Sequence, residues 1–153
     1  MKKKASFLLA VMIMIALTTA CGSKTDNSDL IDGLYSVTFD KADSTDWKAF
    51  LILTVEQNKI ADVNFDYEGF GVNEGKLKSE DEAYNEAMLS STGTNPQMYL
   101  NALETSLMKS GDPESISVVS GATTSSNDFI HFSQEAIKAA KDGNHDPIVI
   151  KQP

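Results

Sequence analysis

Residues 49–67, AFLILTVEQNKIADVNFDY, decide the fold of this chain. The first seven are a near-continuous apolar run, which predicts a buried strand. Gln57 and Asn58 follow as turn-forming residues. Beyond the turn, β-branched and aromatic side chains favour a second strand, with apolar positions at Ile60, Val63, Phe65 and Tyr67. The segment therefore predicts an antiparallel hairpin with two long strands.

Upstream of this hairpin the pattern also has period two. Tyr35, Val37 and Phe39 alternate with more polar neighbours, which predicts another strand. The polar stretch 41–46, KADSTD, is typical of a loop. The three strands together predict an antiparallel meander.

Downstream the spacing becomes helical. Ser79 and Glu82 resemble a capping box, followed by an apolar face at Ala83, Tyr84, Ala87 and Met88. Gly93 would end this helix. Asn95 and Pro96 predict the start of a second helix, which ends near Gly111.

The last third predicts a short strand at 116–119, a Gly-containing turn and a third helix up to Gly143. Residues 148–150, IVI, are either a short edge strand or a loose tail. The predicted class is α+β: a small antiparallel sheet, formed by the meander and short strands and covered by about three helices.

Residues 120–126, SGATTSS, carry the functional signal. A helix N-terminus presents unpaired N–H groups and a partial positive charge, which favour a phosphate. Gly121 and Ala122 leave the backbone accessible, and the hydroxyls that follow can donate. The alternative is that Ser125 or Ser126 only caps the helix.

The N-terminus has the order of an export signal: three lysines at 2–4, an apolar run at 7–17, then small residues. We predict a lipoprotein signal peptide over residues 1–20, a lipid-anchored tether over 21–30 and one domain over 31–153. Cys21, the only cysteine, follows Thr-Thr-Ala and resembles the acylated cysteine of bacterial lipoproteins, such as those carrying palmitate. The expected location is the outer face of the cell membrane.

The composition excludes several function classes. The chain has 22 acidic against 13 basic residues, a formal net charge of −9. None of the basic residues is an arginine, which argues against nucleic acid as a partner. The aspartates at 40–46 and the two histidines lack the spacing of calcium or zinc ligands, so no metal is expected.

Several motifs resemble the covalent FMN-binding domain family. Residues 120–125 are similar to its SGATxTS signature, and residues 32–35, DGLY, to its opening DGxY. Residues 55–63, VEQNKIADV, resemble its hairpin motif, with Asn58 in the position of a glycine. Residues 76–88 and 92–96 resemble the lipoprotein branch called pheromone or extracellular electron-transfer lipoproteins.

This resemblance implies FMN joined to Thr123 by a phosphodiester, installed by a flavin transferase from FAD. It also implies that the rest of the motif contributes to cofactor binding: Ser120, Gly121, Ala122, Thr124 and Ser125. Lys78 and Tyr84 are further candidates, and Lys76, Tyr67, Phe70, Met88 and Met98 weaker ones. The implied function is an electron carrier rather than a turnover enzyme, between a membrane dehydrogenase or quinone pool and an external acceptor.

One position departs from the family pattern. The family usually has an acid three residues before the motif serine, where this chain has Ser117. Two alternatives therefore remain: a non-redox surface or binding lipoprotein that lost its flavin, and a precursor whose cleaved signal peptide acts as a pheromone.

Overall fold

A computed structural model describes residues 30–153. The predicted signal peptide, the lipidation site at Cys21 and nearly all of the tether lie outside these residues. The described chain is α+β, as predicted. Its elements in order are β1 (Gly33–Phe39), β2 (Trp47–Glu56), β3 (Lys59–Gly69), α1 (Glu82–Thr92), α2 (Pro96–Ser110), α3 (Thr123–Asp142) and β4 (Ile148–Ile150).

The four strands form one sheet in the order β3-β2-β1-β4. The pairs β1–β2 and β2–β3 are antiparallel, which confirms the predicted meander. Gln57 and Asn58 both have positive φ, 53° and 60°, the conformation of a tight hairpin turn. The Asp32 carboxylate accepts hydrogen bonds from both turn N–H groups, at 3.0 and 2.7 Å.

The fourth strand corrects the prediction of a purely antiparallel sheet. Residues 148–150 form an edge strand and not a loose tail, and this strand runs parallel to β1, with Val37 opposite Ile148. The reason is that α3 carries the chain back across the sheet before β4 begins, so β4 enters in the direction of β1. The sheet is therefore mixed.

The core lies between one face of the sheet and the helices. Every second residue of β1 is buried, which confirms the predicted alternation, and the apolar run in β2 is also buried at every second residue. In β3, Val63, Phe65 and Tyr67 are buried together with the out-of-phase Asp66. The apolar stripe of α3 is buried apart from a half-buried Ile130. The largest fully buried side chains are aromatic or aliphatic residues from both layers, including Tyr35, Leu51, Phe65, Tyr99, Leu103, Phe129 and Phe132. Phe129 and Phe132 both pack edge-on against Phe65. This packing fixes the position of α3 relative to the sheet.

Residues 116–119 do not form the predicted strand. Ile116 alone is buried there, and Ser117 and Val118 are exposed. The N–H group of Val119 donates to the hydroxyl of Ser126 at 3.0 Å, in place of a bond to a neighbouring strand. The segment is an irregular connection held by α3.

The predicted capping box of α1 is also wrong. Asp81 is the cap, and its carboxylate accepts from the N–H group of Tyr84 at 3.0 Å. Ser79 lies in a short 3₁₀ turn, Lys78–Glu80, and its hydroxyl donates to Asp66. Asn85 is the one buried residue of α1. No helix among residues 30–153 is long and apolar enough to cross a membrane.

Candidate functional site

Helix α3 begins at Thr123 without a side-chain cap. Ala122 occupies the cap position, and no side chain bonds the N–H groups of the first turn. The alternative that Ser125 or Ser126 caps the helix is therefore wrong, because both lie inside the first turn. Ser126 is fully buried, and its hydroxyl donates to the Ala122 carbonyl at 2.8 Å. That hydroxyl supports the turn and is not available to a ligand.

Gly121 is required by the geometry of this turn. Its φ of +82° lies in the left-handed region, and a Cβ there would lie 3.0 Å from Thr92 Cβ and 3.1 Å from the Thr92 carbonyl oxygen. The turn before α3 thus packs directly on the Thr92–Thr94 segment that joins α1 to α2. Two motifs quoted for the family resemblance are neighbours in space.

A cavity of about 490 Å³ opens beside this turn. Such a volume suits a small molecule or cofactor. The predicted residues that line it are Lys78, Tyr84, Gly121, Ala122, Thr123, Thr124 and Ser125. Ser120 is exposed and is not part of the lining. The structure therefore brings together seven of the eight leading candidates, with Ser120 as the exception.

Lys78 is the cationic group of the cavity. Lys78 is only 7 % exposed. Its ammonium lies 4.4 Å from the ring centre of Tyr67, 4.9 Å from that of Tyr84 and 5.8 Å from that of Trp47. These are cation–π distances. Among residues 30–153 no carboxylate pairs with this ammonium within 4 Å, and burial lowers the pKa of Lys78.

Two tyrosines supply neutral hydroxyls to the cavity. Burial raises the pKa of Tyr67 and of Tyr99 well above the ordinary value, so both remain protonated donors. Both hydroxyls lie beside Ser125. Tyr67 also donates to Asp128 over 3.5 Å, a long hydrogen bond. Burial raises the pKa of Asp128.

Asp43 is a second carboxylate in the lining. Burial raises its pKa, but hydrogen bonds from Thr45 and from the N–H group of Trp47 outweigh this effect and lower the pKa overall. The bond from the Thr45 hydroxyl is 2.7 Å long. Asp43 therefore stays ionised and fixes the loop that forms this wall.

Several lining residues were missed from the sequence. Trp47 and Tyr99 sit at apolar positions of β2 and α2, where the pattern indicates core, and they do contribute to it. Asp43 belonged to a loop interpreted as solvated. Gln152 lies in the C-terminal tail, which carries no motif. Asp128 lies three residues after Ser125, the last residue of the motif. On a helix this spacing places the two side chains on the same face, and it was the signal available in the sequence.

The weaker candidates divide between the surface and the cavity. Lys76 is exposed and pairs with Asp81 at 3.1 Å, which corrects its candidacy as a phosphate ligand. Phe70 and Met98 are exposed and outside the lining, whereas Tyr67 and Met88 are in it. Residues 30–153 hold no cluster of three or more potential metal-ligating side chains.

The described chain is a small α+β domain with a cavity at the N-terminus of α3. No family model matches the chain. It is 31 % identical over 149 residues to the 15 kDa lipoprotein of Treponema pallidum (strain Nichols), covering 97 % of this chain and 99 % of that protein. It thus belongs to the same family as this lipoprotein.

A solved structure also resembles the domain. The crystal structure of the CPE2226 protein from Clostridium perfringens matches with a TM-score of 0.74 and 32 % sequence identity. The match covers 81 % of this chain and 99 % of that one. The α+β architecture is therefore shared along nearly the whole of that protein.

Proposed function

We propose that this chain is a membrane-anchored, extracytoplasmic flavoprotein that carries FMN covalently on Thr123 and relays electrons. The observation that carries the proposal is one cavity in which Thr123, at the start of α3, shares the wall with the buried, unpaired Lys78. The anchor would be Cys21. The similarity to a lipoprotein supports it, since the aligned region extends into the N-terminal segment.

The donor set of the cavity fits a phosphate. The N–H groups of Thr123, Thr124 and Ser125 precede the first α-helical hydrogen bond, which Ser126 donates to Ala122. The helix dipole adds partial positive charge at the same end. Lys78 supplies a full charge, which Asp43, Asp66 and Asp128 offset only from beyond 4 Å, and burying such an ammonium is costly. A ligand anion would offset that cost, so Lys78 and the first turn of α3 would hold the phosphate.

The rest of the lining fits a planar ring. Trp47, Tyr67, Tyr84 and Tyr99 contribute aromatic surface, and Met88 adds a polarisable side chain. These side chains would exclude water from the cavity and orient a flat ligand. Bound there, FMN supplies the ability to accept and pass on electrons one or two at a time. The protein would set its position and its electrostatic surroundings.

A covalent link has a physical reason outside the cell. A dissociable cofactor stays bound only while its free concentration exceeds the dissociation constant. In the proposed modification a flavin transferase joins the Thr123 oxygen to the FMN phosphorus of FAD; the bond to AMP breaks, and AMP leaves with the hydroxyl proton. The electron partners would be a membrane dehydrogenase or the quinone pool on one side and an external acceptor on the other.

The test is co-expression with a flavin transferase. Wild type should gain the mass of one FMN minus water and show flavin fluorescence after denaturing electrophoresis, whereas Thr123→Val should gain neither. Thr124→Val is the matched control, because Thr124 lines the same cavity one residue away. Labelled Thr123→Val with unlabelled Thr124→Val would move the attachment to Thr124. No label on wild type would contradict the covalent proposal.

A non-redox binding lipoprotein is the second candidate, and Ser117 favours it. This residue is exposed on the irregular segment before the motif, where an acid would be accessible to a modifying enzyme. Without that acid the modification would not occur, and the cavity would be available to a non-covalent ligand. Intact mass of the protein from its native host separates the two candidates.

A further inference from the structure

The cavity holds more negative than positive charge. Among the described residues that line it, Lys78 is the one cation, whereas Asp43 and Asp128 are both acidic. Burial lowers the pKa of Lys78, and the charges of Asp43, Asp66 and Asp128 oppose that effect, so three carboxylates surround the ammonium. Within residues 30–153 none of them comes within 4 Å of it.

The three carboxylates differ in how the protein compensates their charge. Asp43 and Asp66 each accept two hydrogen bonds from backbone N–H groups, with lengths of 2.7–3.3 Å. Within residues 30–153, Asp128 accepts one long hydrogen bond, 3.5 Å from the Tyr67 hydroxyl. Asp128 also lies one helical turn after Thr124, and both residues line the cavity. Its weakly compensated charge therefore stands close to the first turn of α3.

The other titratable groups near Asp128 leave this balance unchanged. Burial raises the pKa values of Tyr67, Tyr84 and Tyr99, so their hydroxyls are neutral. His131 follows three residues later on α3, but it is exposed and outside the lining. The charge that a ligand meets in the cavity is therefore set by the ammonium, the carboxylates and the end of α3.

We infer that Asp128 makes the cavity selective for a phosphate with one negative charge over a phosphate with two. Lys78 can pair with one negative charge, and the N-terminus of α3 adds about half a positive charge. A second full charge on the ligand would lack a partner and would face Asp128. Resting on the proposed function, the inference favours a phosphodiester, the form that a link to Thr123 creates, over the phosphomonoester of free FMN.

Coulomb's law fixes the direction of this effect. A fixed carboxylate repels a dianion about twice as strongly as it repels a monoanion at the same position. Groups in a partly buried site are also screened less by salt than groups on the surface. Removing the charge of Asp128 should therefore raise the affinity for both forms of phosphate, and should raise it more for the dianion.

The test uses two flavins that differ only at the phosphate. The probes are FMN and its methyl phosphate ester, which is a phosphodiester. At about pH 8 the phosphate of FMN carries two negative charges and that of the ester carries one, because the second pKa of a phosphomonoester is about 6. Both are titrated at low salt into the chain produced without a flavin transferase, and binding is followed by fluorescence quenching.

Wild type should bind the methyl ester about fivefold or more tightly than FMN at this pH, the order expected for one additional charge near an ionised carboxylate. At about pH 5 FMN is itself a monoanion, so the preference should disappear. This second pH separates an effect of charge from a contact made by the methyl group.

Asp128→Asn should bind FMN more tightly than wild type and should lose most of the preference for the ester, because Asn keeps the shape and removes the charge. Asp142→Asn is the matched control: it makes the same change at an exposed residue of α3 outside the cavity and should keep the preference. Asp128→Glu retains the charge and should retain the preference as well. Asp128→Ser serves as a second neutral variant should Asp128→Asn lower the urea midpoint.

Four results would overturn the inference. Equal binding of the two probes to wild type at the higher pH, or tighter binding of FMN, would show that the cavity does not select the smaller charge. A preference that persists at the lower pH would assign it to the methyl group. An unchanged preference in both neutral variants would remove Asp128 from the selection. If neither probe binds wild type, the inference fails, and mass analysis of the chain co-expressed with a flavin transferase decides separately whether the proposed function stands.

Discussion

Replacing Gly121 tests whether the turn before α3 is fixed by close packing. Gly121→Ala introduces a Cβ at a backbone φ of +82°, against Thr92 and Thr94. Gly93→Ala is a matched control. Gly93 has nearly the same φ, +79°, but a Cβ there has no neighbouring atom within 4 Å.

The two substitutions share one cost and differ in another. A left-handed conformation costs a non-glycine residue roughly 1–2 kcal/mol. Alanine also reduces the conformational freedom of the unfolded chain, which offsets about 0.4–1 kcal/mol of that cost. At Gly121 the new Cβ also meets atoms at 3.0–3.1 Å, including the backbone oxygen of Thr92. Overpacking of this kind typically costs about 1–3 kcal/mol.

We therefore expect Gly93→Ala to lower the free energy of unfolding by about 1 kcal/mol and Gly121→Ala by about 2–4 kcal/mol. Urea unfolding followed by circular dichroism measures both, provided that the m-values agree. With a slope of about 2 kcal/mol per molar urea, the two midpoints should differ by roughly 1 M. Equal midpoints would refute the packing argument, because only the shared backbone cost would then remain.

Three other substitutions test separate parts of the molecule. Lys78→Met should abolish the increase in melting temperature that orthophosphate gives the wild type. Because burial lowers the pKa of Lys78 in the folded chain below that in the unfolded chain, wild-type stability should rise with pH between these two pKa values, and the same rise in Lys78→Met would contradict this reasoning. Ser133→Ala removes an unpaired buried hydroxyl and should raise the free energy of unfolding by about 1 kcal/mol in urea, where any loss would point to an unrecognised bond. Ser117→Asp should raise the initial rate of FMN transfer to Thr123 if the family's acid serves recognition, and an unchanged rate would exclude that role.

The sequence predicted those elements whose pattern and local chemistry agree. The first strand followed from alternation and the second from its apolar run. The hairpin turn followed from Asn58, a residue type that tolerates positive φ, whereas Gln57 adopts its φ of 53° with its N–H group bonded to Asp32. Helix α2 begins at Pro96 after an Asn95 cap, as its local signals required. In each case the information lies within a few residues of the feature.

The errors arose where distant contacts decide. Ser79 matched a capping box, but its hydroxyl donates to the carboxylate of Asp66 on β3, and Asp81 caps α1 instead. Residues 116–119 have strand-like composition, but Val119 bonds to a side chain of α3. The direction of β4 depends on where α3 ends over the sheet. None of these partners can be read from local spacing.

The site divides in the same way. The SGATTS stretch was found because its residues are contiguous, and Lys78 and Tyr84 because a family pattern includes their region. Gln152 was missed because it reaches the cavity only through pairing of β4 with β1. Trp47 was missed because it lies between the predicted loop at 41–46 and the predicted strand at 49–55, whereas β2 begins at this residue.

Position, rather than the number of hydroxyls, distinguishes the residues of the motif. Ser126 is fully buried and bonded within the turn, so no enzyme can reach its oxygen. Ser120 is exposed but lies outside the cavity, and a group attached there would remain in solvent. Thr123 and Thr124 are both exposed and both line the cavity. Both therefore meet the two demands of the proposed modification, since a transferase needs access to the hydroxyl and the attached group needs a cavity to occupy. The resemblance to the family motif selects Thr123, and the paired variants Thr123→Val and Thr124→Val test that choice.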